Sequence, residues 1–136
     1  MSHPSPPLFG VVVNWNDIPT TQLRPGVRRK VYSTEQVMLA HHELEVGMQL
    51  NPHSHPEFDQ LVYIASGRCN YYIDGQPHAM VAGDFLLVAR NREHYIEPTE
   101  APCVNIDIFT PPRPDFADGL TWTEHFRRQT ETAGTD

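Results

Sequence analysis

His53 and His55 stand two residues apart in "NPHSHPEFDQ", Gln60 follows five residues on, and His94 closes "GDFLLVARNREH". Side chains two apart on an extended segment project to the same side, so His53 and His55 can grip one ion. Neutral histidine is the commonest ligand for zinc, iron, nickel and copper. Gln60 has the inward parity of Val62 and Ile64 in "QLVYI" and can offer an amide oxygen. The glycine-aspartate turn at Gly83-Asp84 allows the next strand to bring His94 back to the same spot. Three histidines and one oxygen donor leave one or two positions open on a metal, the mark of a catalytic rather than a structural site. An HxH pair alone is a weak signal in a chain with eight histidines, and an ordinary polar loop competes with it.

Such residues need strands to carry them. Short runs rich in β-branched and aromatic residues ("VVVNW", "RRKVY", "VMLAHHELEV", "QLVYIAS", "CNYYID", "HAMV", "DFLLVA", "EHYIE", "CVNIDIFT") are separated by turn signals such as "RPG", "ASG", "DGQ" and "VAGD". Asp74-Gly75 suits a type I′ hairpin turn. Thirteen prolines in 136 residues, about twice the usual ~5%, disfavour a helical protein. Many short strands without intervening helices predict an all-β sandwich or barrel. The expected organisation is an arm over residues 1–14, a barrel over 15–113, and a short C-terminal helical segment with a tail over 114–136. Thr121 and Glu124 offer that segment a capping box, and Phe116, Leu120, Trp122 and Phe126 offer it an anchor.

Alternation along the strands assigns faces. His42 points inward with Met38, Ala40 and Leu44, while His41 points outward. His42 then either lines a pocket or gives a further ligand, or is a hydrogen-bonded core histidine. Asp107 shares a face with Cys103, Asn105 and Phe109, where a carboxylate is costly without a partner. Arg28, Arg29 and Lys30 read as a solvated strand face.

A net charge of −7 with ten Lys+Arg argues against nucleic acid or an anionic membrane as partner, while a local field still permits a small anionic substrate. Cys69 and Cys103 have no CxxC or CxxH spacing, so neither a disulfide framework nor a thiolate zinc site is expected. The opening "MSHPSPPLFG" has no basic and apolar leader pattern, and no apolar run approaches ~18 residues, so a cytoplasmic, soluble protein is expected.

The glycine framework around the histidines carries a resemblance. "GMQLNPHSHPEFDQLVYIASG" resembles the first cupin motif, G-x5-H-x-H-x4-E-x6-G, with Gly47, His53, His55, Gln60 and Gly67 in register. "GDFLLVARNREH" resembles the second, G-x5-P-x-G-x2-H, through Gly83 and His94, with Ala89 replacing the proline and Asn91 the glycine. Asparagine tolerates positive φ better than most residues, so Asn91 is a mild change. The resemblance implies a double-stranded β-helix, or jelly-roll barrel, around a divalent metal, with nickel, zinc, iron and manganese all open.

Gln60 in place of glutamate leaves a divalent site with its full +2 charge, which favours an anionic substrate and stronger Lewis acidity. A three-histidine, one-glutamine set resembles the KdgF-type cupins, which convert 4,5-unsaturated monouronates from pectin or alginate breakdown to linear ketouronates. "NIDIFTPPRPDF" resembles that subgroup's D-x-F-x3-R ending, and "GVRRKVY" its opening strand. The likeness implies active-site positions for Asp107, Phe109 and Arg113: a general acid/base, a ring against the sugar, and a fork for the uronate carboxylate. Competing readings are a satisfied carboxylate, a core aromatic and a solvated arginine. His42 stands where the subgroup tends to be apolar. A polyketide cyclase, a dioxygenase or a non-catalytic binder of small acids stay open as alternatives. Strands apolar on both faces imply a homodimer through an outer sheet face.

Overall fold

The computed structural model describes residues 9–113. Seven strands dominate: β1 (Thr21–Arg24), β2 (Val27–Ser33), β3 (Met38–Leu44), β4 (Gln60–Ile73), β5 (Gln76–Val81), β6 (Phe85–Val88) and β7 (His94–Phe109). They form one antiparallel system in the order β1-β2-β3-β7-β4-β5, with β6 joined to β4. The architecture is the expected all-β jelly roll. The proposed C-terminal helical segment lies outside the described residues. Among those residues, no helix is long and apolar enough to cross a membrane.

Two strands are longer than the sequence pattern suggests. "QLVYIAS" and "CNYYID" are one strand of 14 residues, and "EHYIE" and "CVNIDIFT" are one of 16. β4 and β7 pair along almost their whole length, with register shifts between Ile64 and Cys69. Bulges of this kind bend a strand without ending it. So one half of β4 pairs with β6 and the other with β5, curling the sheet into a barrel.

Gly67 sits in this bend rather than in a loop. Its φ is 78°, and a Cβ there would lie 2.5 Å from the carbonyl oxygens of both Glu100 and Pro102. Both obstacles are backbone and cannot step aside. Gly67→Ala is therefore expected to destabilise the fold by about 2–3 kcal/mol, read from urea unfolding. A loss within error of zero would contradict this account of the bend.

The Asp74-Gly75 hairpin forms as expected, with φ of 49° and 79° and Ile73 paired to Gln76. "VVVNW" does not form a strand. Trp15–Asp17 is a turn of 3-10 helix whose Asn14 cap accepts a hydrogen bond from the Asn16 N–H at 2.9 Å. That turn covers the outward face of β3. His41 points outward yet is buried, with the Trp15 ring 4.7 Å away.

The core has two parts. Val27, Leu44, Val62, Ile64, Cys69, Met80 and Val88 belong to the larger cluster, and Val31, Met38, Ala40, Phe58 and Phe109 form the smaller. Between them the inward faces of β2, β3, β4 and β7 turn polar, and there the pocket lies.

Candidate metal centre and pocket

Backbone pairing brings the three histidines together. His53 and His94 form an antiparallel bridge, His53 N–H to His94 C=O at 3.1 Å and His94 N–H to His53 C=O at 2.8 Å. The carbonyl of His55 accepts from the Asn91 N–H at 2.8 Å. Asn91 has a φ of 68°, so the asparagine does adopt the left-handed turn where the cupin motif has glycine. The imidazole centroids lie 4.9 Å (His53–His55), 4.4 Å (His53–His94) and 4.9 Å (His55–His94) apart. One nitrogen from each lies within 4.8 Å of the others, a geometry that fits a metal site.

The tautomers suit that role. Nδ1 of His53 is 2.7 Å from the Asn51 carbonyl, and Nδ1 of His94 is 2.9 Å from the Arg92 carbonyl. A carbonyl only accepts, so both Nδ1 atoms carry the proton and each Nε2 keeps its lone pair. Orientation of this kind by a backbone oxygen is the usual support of a ligating histidine. Nε2 of His94 is buried without a hydrogen-bond partner. Burial pushes the His94 pKa down to about 4, against the opposing Arg92 hydrogen bond, so the ring is neutral as a ligand must be. Arg113 Nη1 lies 3.2 Å from Nε2 of His55. An arginine can only donate, so that nitrogen also presents a lone pair, the one an ion would take.

Gln60 is buried on β4. Its Nε2 lies 3.5 Å from the Tyr71 hydroxyl, while Oε1 is a buried acceptor with no hydrogen-bond partner. A buried carboxamide oxygen without a partner among the described residues, in the pocket that the three histidines also line, fits a divalent ion.

Asp107 lies across β7 from this set. In register, Val62 faces it on β4 and Ala40 on β3, which puts Gln60 and His42 on its two diagonals. Asn105 Nδ2 donates to Asp107 Oδ1 at 2.9 Å, and Oδ2 lies 3.4 Å from Nδ1 of His42. Short as it is, this is not an ion pair. Burial, then the Arg29 charge, depresses His42 to about 3. Burial raises Asp107 to about 7, against the Gln60 hydrogen bond and the pull of Arg113 and Asn105. The proton between them therefore resides on the carboxyl, poised near neutrality.

The pocket of about 450 Å³ is lined by His42, His53, His55, Gln60, Asp107 and Arg113 among others, a size suited to a small ligand. Phe109 is fully buried beside Phe58 in the smaller core cluster, and the Arg113 guanidinium sits 5.2 Å above its ring centre. It meets the pocket through Arg113 rather than by facing the cavity.

The basic run on β2 needs correction. Arg28 is solvated and pairs with Glu43 at 2.9 Å, whereas Lys30 Nζ donates to the Trp15 carbonyl at 2.9 Å. Arg29 is buried and lines the pocket, as does Arg24 from β1. Parity gave a usable signal, because Arg29 shares the face of the inward Val27 and Val31. Nothing in "LRPG" marked Arg24.

A rolled all-β sheet with histidines from two motifs gathered at one mouth defines a cupin. The chain belongs to that family: the cupin domain model matches residues 40–109. Among characterised relatives it is similar to the pectin degradation protein KdgF of Dickeya dadantii, 29% identical over 102 residues, covering 74% of this chain and 93% of the relative. The structure of KdgF from Halomonas sp. superposes with a TM-score of 0.72 at 24% identity, over 78% of this chain and 97% of that one. Pac13, a nucleoside dehydratase, shares the fold at a TM-score of 0.63 and 13% identity, over 77% of this chain and 85% of the other.

Proposed function

We propose that the protein is a metal-dependent cupin enzyme that converts a 4,5-unsaturated monouronate to its linear ketouronate. The observation that carries this reading is a buried carboxyl, Asp107, within one pocket with the histidine cluster and Arg113. The likeness to KdgF supports it. His53, His55, Gln60 and His94 would hold a divalent ion, which when bound supplies Lewis-acid polarisation of substrate oxygens.

The chain's own residues do the rest. Arg113 offers its fork to the uronate carboxylate. Protonated Asp107 donates to C4 of the enol ether while water adds at C5, and the water's proton returns to Asp107. In the resulting hemiketal, the C5 hydroxyl loses its proton, the bond from C5 to the ring oxygen breaks, and that oxygen is protonated. The C5 ketone forms and C1 is left as a gem-diol, whose loss of water gives the C1 aldehyde, so the water added is returned and the conversion is an isomerisation. Asn105 holds Oδ1 of Asp107, so that Oδ2 carries the mobile proton. Incubation with unsaturated galacturonate or mannuronate should abolish the enol absorbance; a flat trace from metal-loaded protein rejects this substrate class.

The acid role fixes the sign of the pH dependence. Asp107 must be protonated at the start, so kcat/KM should be level at lower pH and fall as pH rises through a value at or below about 7. A bound cation favours the carboxylate and can only move that limb downward. A profile that rises over this range would reverse the role of Asp107 from acid to base.

The same reading includes a homodimer through the outer face of β4 and β6. Leu61 pairs with Leu87 and Tyr63 with Phe85 there, and all four side chains are exposed. Exposed apolar patches of this kind mark interaction sites. Phe85→Asp should convert a dimer to a monomer in sedimentation; a monomeric parent protein refutes the dimer.

A further inference from the structure

The pocket wall is heavily cationic for an acidic protein. Arg24, Arg29 and Arg113 all line it, and Asp107 is the single carboxyl among its described lining residues. Three imidazoles and a carboxamide bring no negative charge to offset a divalent ion. A buried guanidinium nitrogen is costly unless an acceptor meets it.

The arginines fall into two groups. Arg113 stands at the histidine cluster, 3.2 Å from His55 and stacked over Phe58 and Phe109. Arg24 and Arg29 come from the β1–β2 hairpin. Arg29 faces His42 across the β2–β3 ladder, and His42 faces Asn105 across the β3–β7 ladder. These three make a polar row directly beside Asp107. Arg24 has a buried Nε with no hydrogen-bond partner among the described residues. Both arginines act on His42 more strongly than Arg113 does, which places their charge on this side of the pocket.

We propose that Arg24 and Arg29 are the specificity-determining half of an anion clamp and set the preference for a sugar acid over the neutral sugar of the same shape. Arg113 meets the carboxylate from the metal side and the hairpin pair meets it from the other. Two guanidiniums at one carboxylate supply charge-assisted bonds that a hydroxymethyl group cannot use. This inference rests on the sugar-acid reading given above.

The test uses binding of a non-reacting pair, galacturonate and galactose, to the metal-loaded protein by calorimetry. Parent protein should prefer galacturonate. Arg24→Gln and Arg29→Gln should each weaken galacturonate by about 10-fold or more and leave galactose unchanged. In turnover of the unsaturated uronate, KM should rise in both variants with kcat within about threefold. A parent protein with no preference for the acid defeats the sugar-acid reading and this inference together. A parent that prefers the acid, with variants that keep the full preference, overturns the inference alone. Arg29 is buried, so melting curves accompany each variant. If Arg29→Gln does not fold, Arg24→Gln decides, because its side chain is only half-buried.

Discussion

Asp107→Asn is expected to lower kcat on a 4,5-unsaturated uronate by about 10²–10⁴-fold, with the fold and the ion retained. Asparagine keeps the shape and can still accept from Asn105, which bonds Oδ1 at 2.9 Å. What it loses is a proton that comes and goes near neutrality. The substitution also removes a buried carboxyl whose ionisation the fold opposes, so stability should not fall at neutral pH. In single-turnover measurements the variant should bind substrate with little change and fail at the chemical step. If kcat survives within a few-fold, the proton comes from elsewhere and Asp107 is a structural residue of the polar row.

His94→Ala should be more damaging still, because two losses coincide. The imidazole leaves the cluster, and its Nε2 is one of the lone pairs that would hold the ion. Changes to groups that merely orient a ligand cost 10–100-fold in metal affinity, so loss of a ligand should exceed about 100-fold. Activity should become undetectable at ambient metal. The backbone bridge to His53 involves main-chain atoms only, so the barrel should still form. A folded variant with parent-like ion content would show that His94 is no ligand. A His53→Ala variant should fall in the same direction, since His53 and His94 belong to the same cluster.

Much of this site was legible before the fold was known. HxH spacing and the distance to His94 name three residues that the structure gathers, and parity names Gln60, which lines the same pocket. Parity also put His42 inward and Asp107 on one face with Cys103, Asn105 and Phe109, and both His42 and Asp107 line the pocket. Long-range geometry was less accessible. "ASG" reads as a turn because glycine and small residues usually end a strand, yet at Gly67 the positive φ serves a bulge within a continuous strand. "EHYIE" and "CVNIDIFT" read as separate runs, but β7 runs through Pro98 and Pro102 between them. Neighbouring strands decide such cases, and they are remote in sequence.

Charge was harder to place than apolar residues. "VRRKV" looks like a solvated run if its three cations are counted together, and like one inward guanidinium if the face that Arg29 shares with Val27 and Val31 is followed. The structure has the second arrangement. Phe109 shows the reverse problem. Its spacing from Asp107 and Arg113 implies a place in the site, and its position beneath Arg113 is compatible with supporting that side chain while remaining core. A side chain's face can be inferred from its own strand; what covers that face cannot. His41 illustrates this, since its cover is a tryptophan from a separate turn.

The most direct test of the metal centre is elemental mass spectrometry on untagged protein, dialysed free of loosely held ions. We expect close to one divalent ion per chain, lost to a chelator together with turnover and regained with it. Protein with no ion above background after offering each of nickel, zinc, iron and manganese, or with activity that persists once the ion is stripped, would contradict the account.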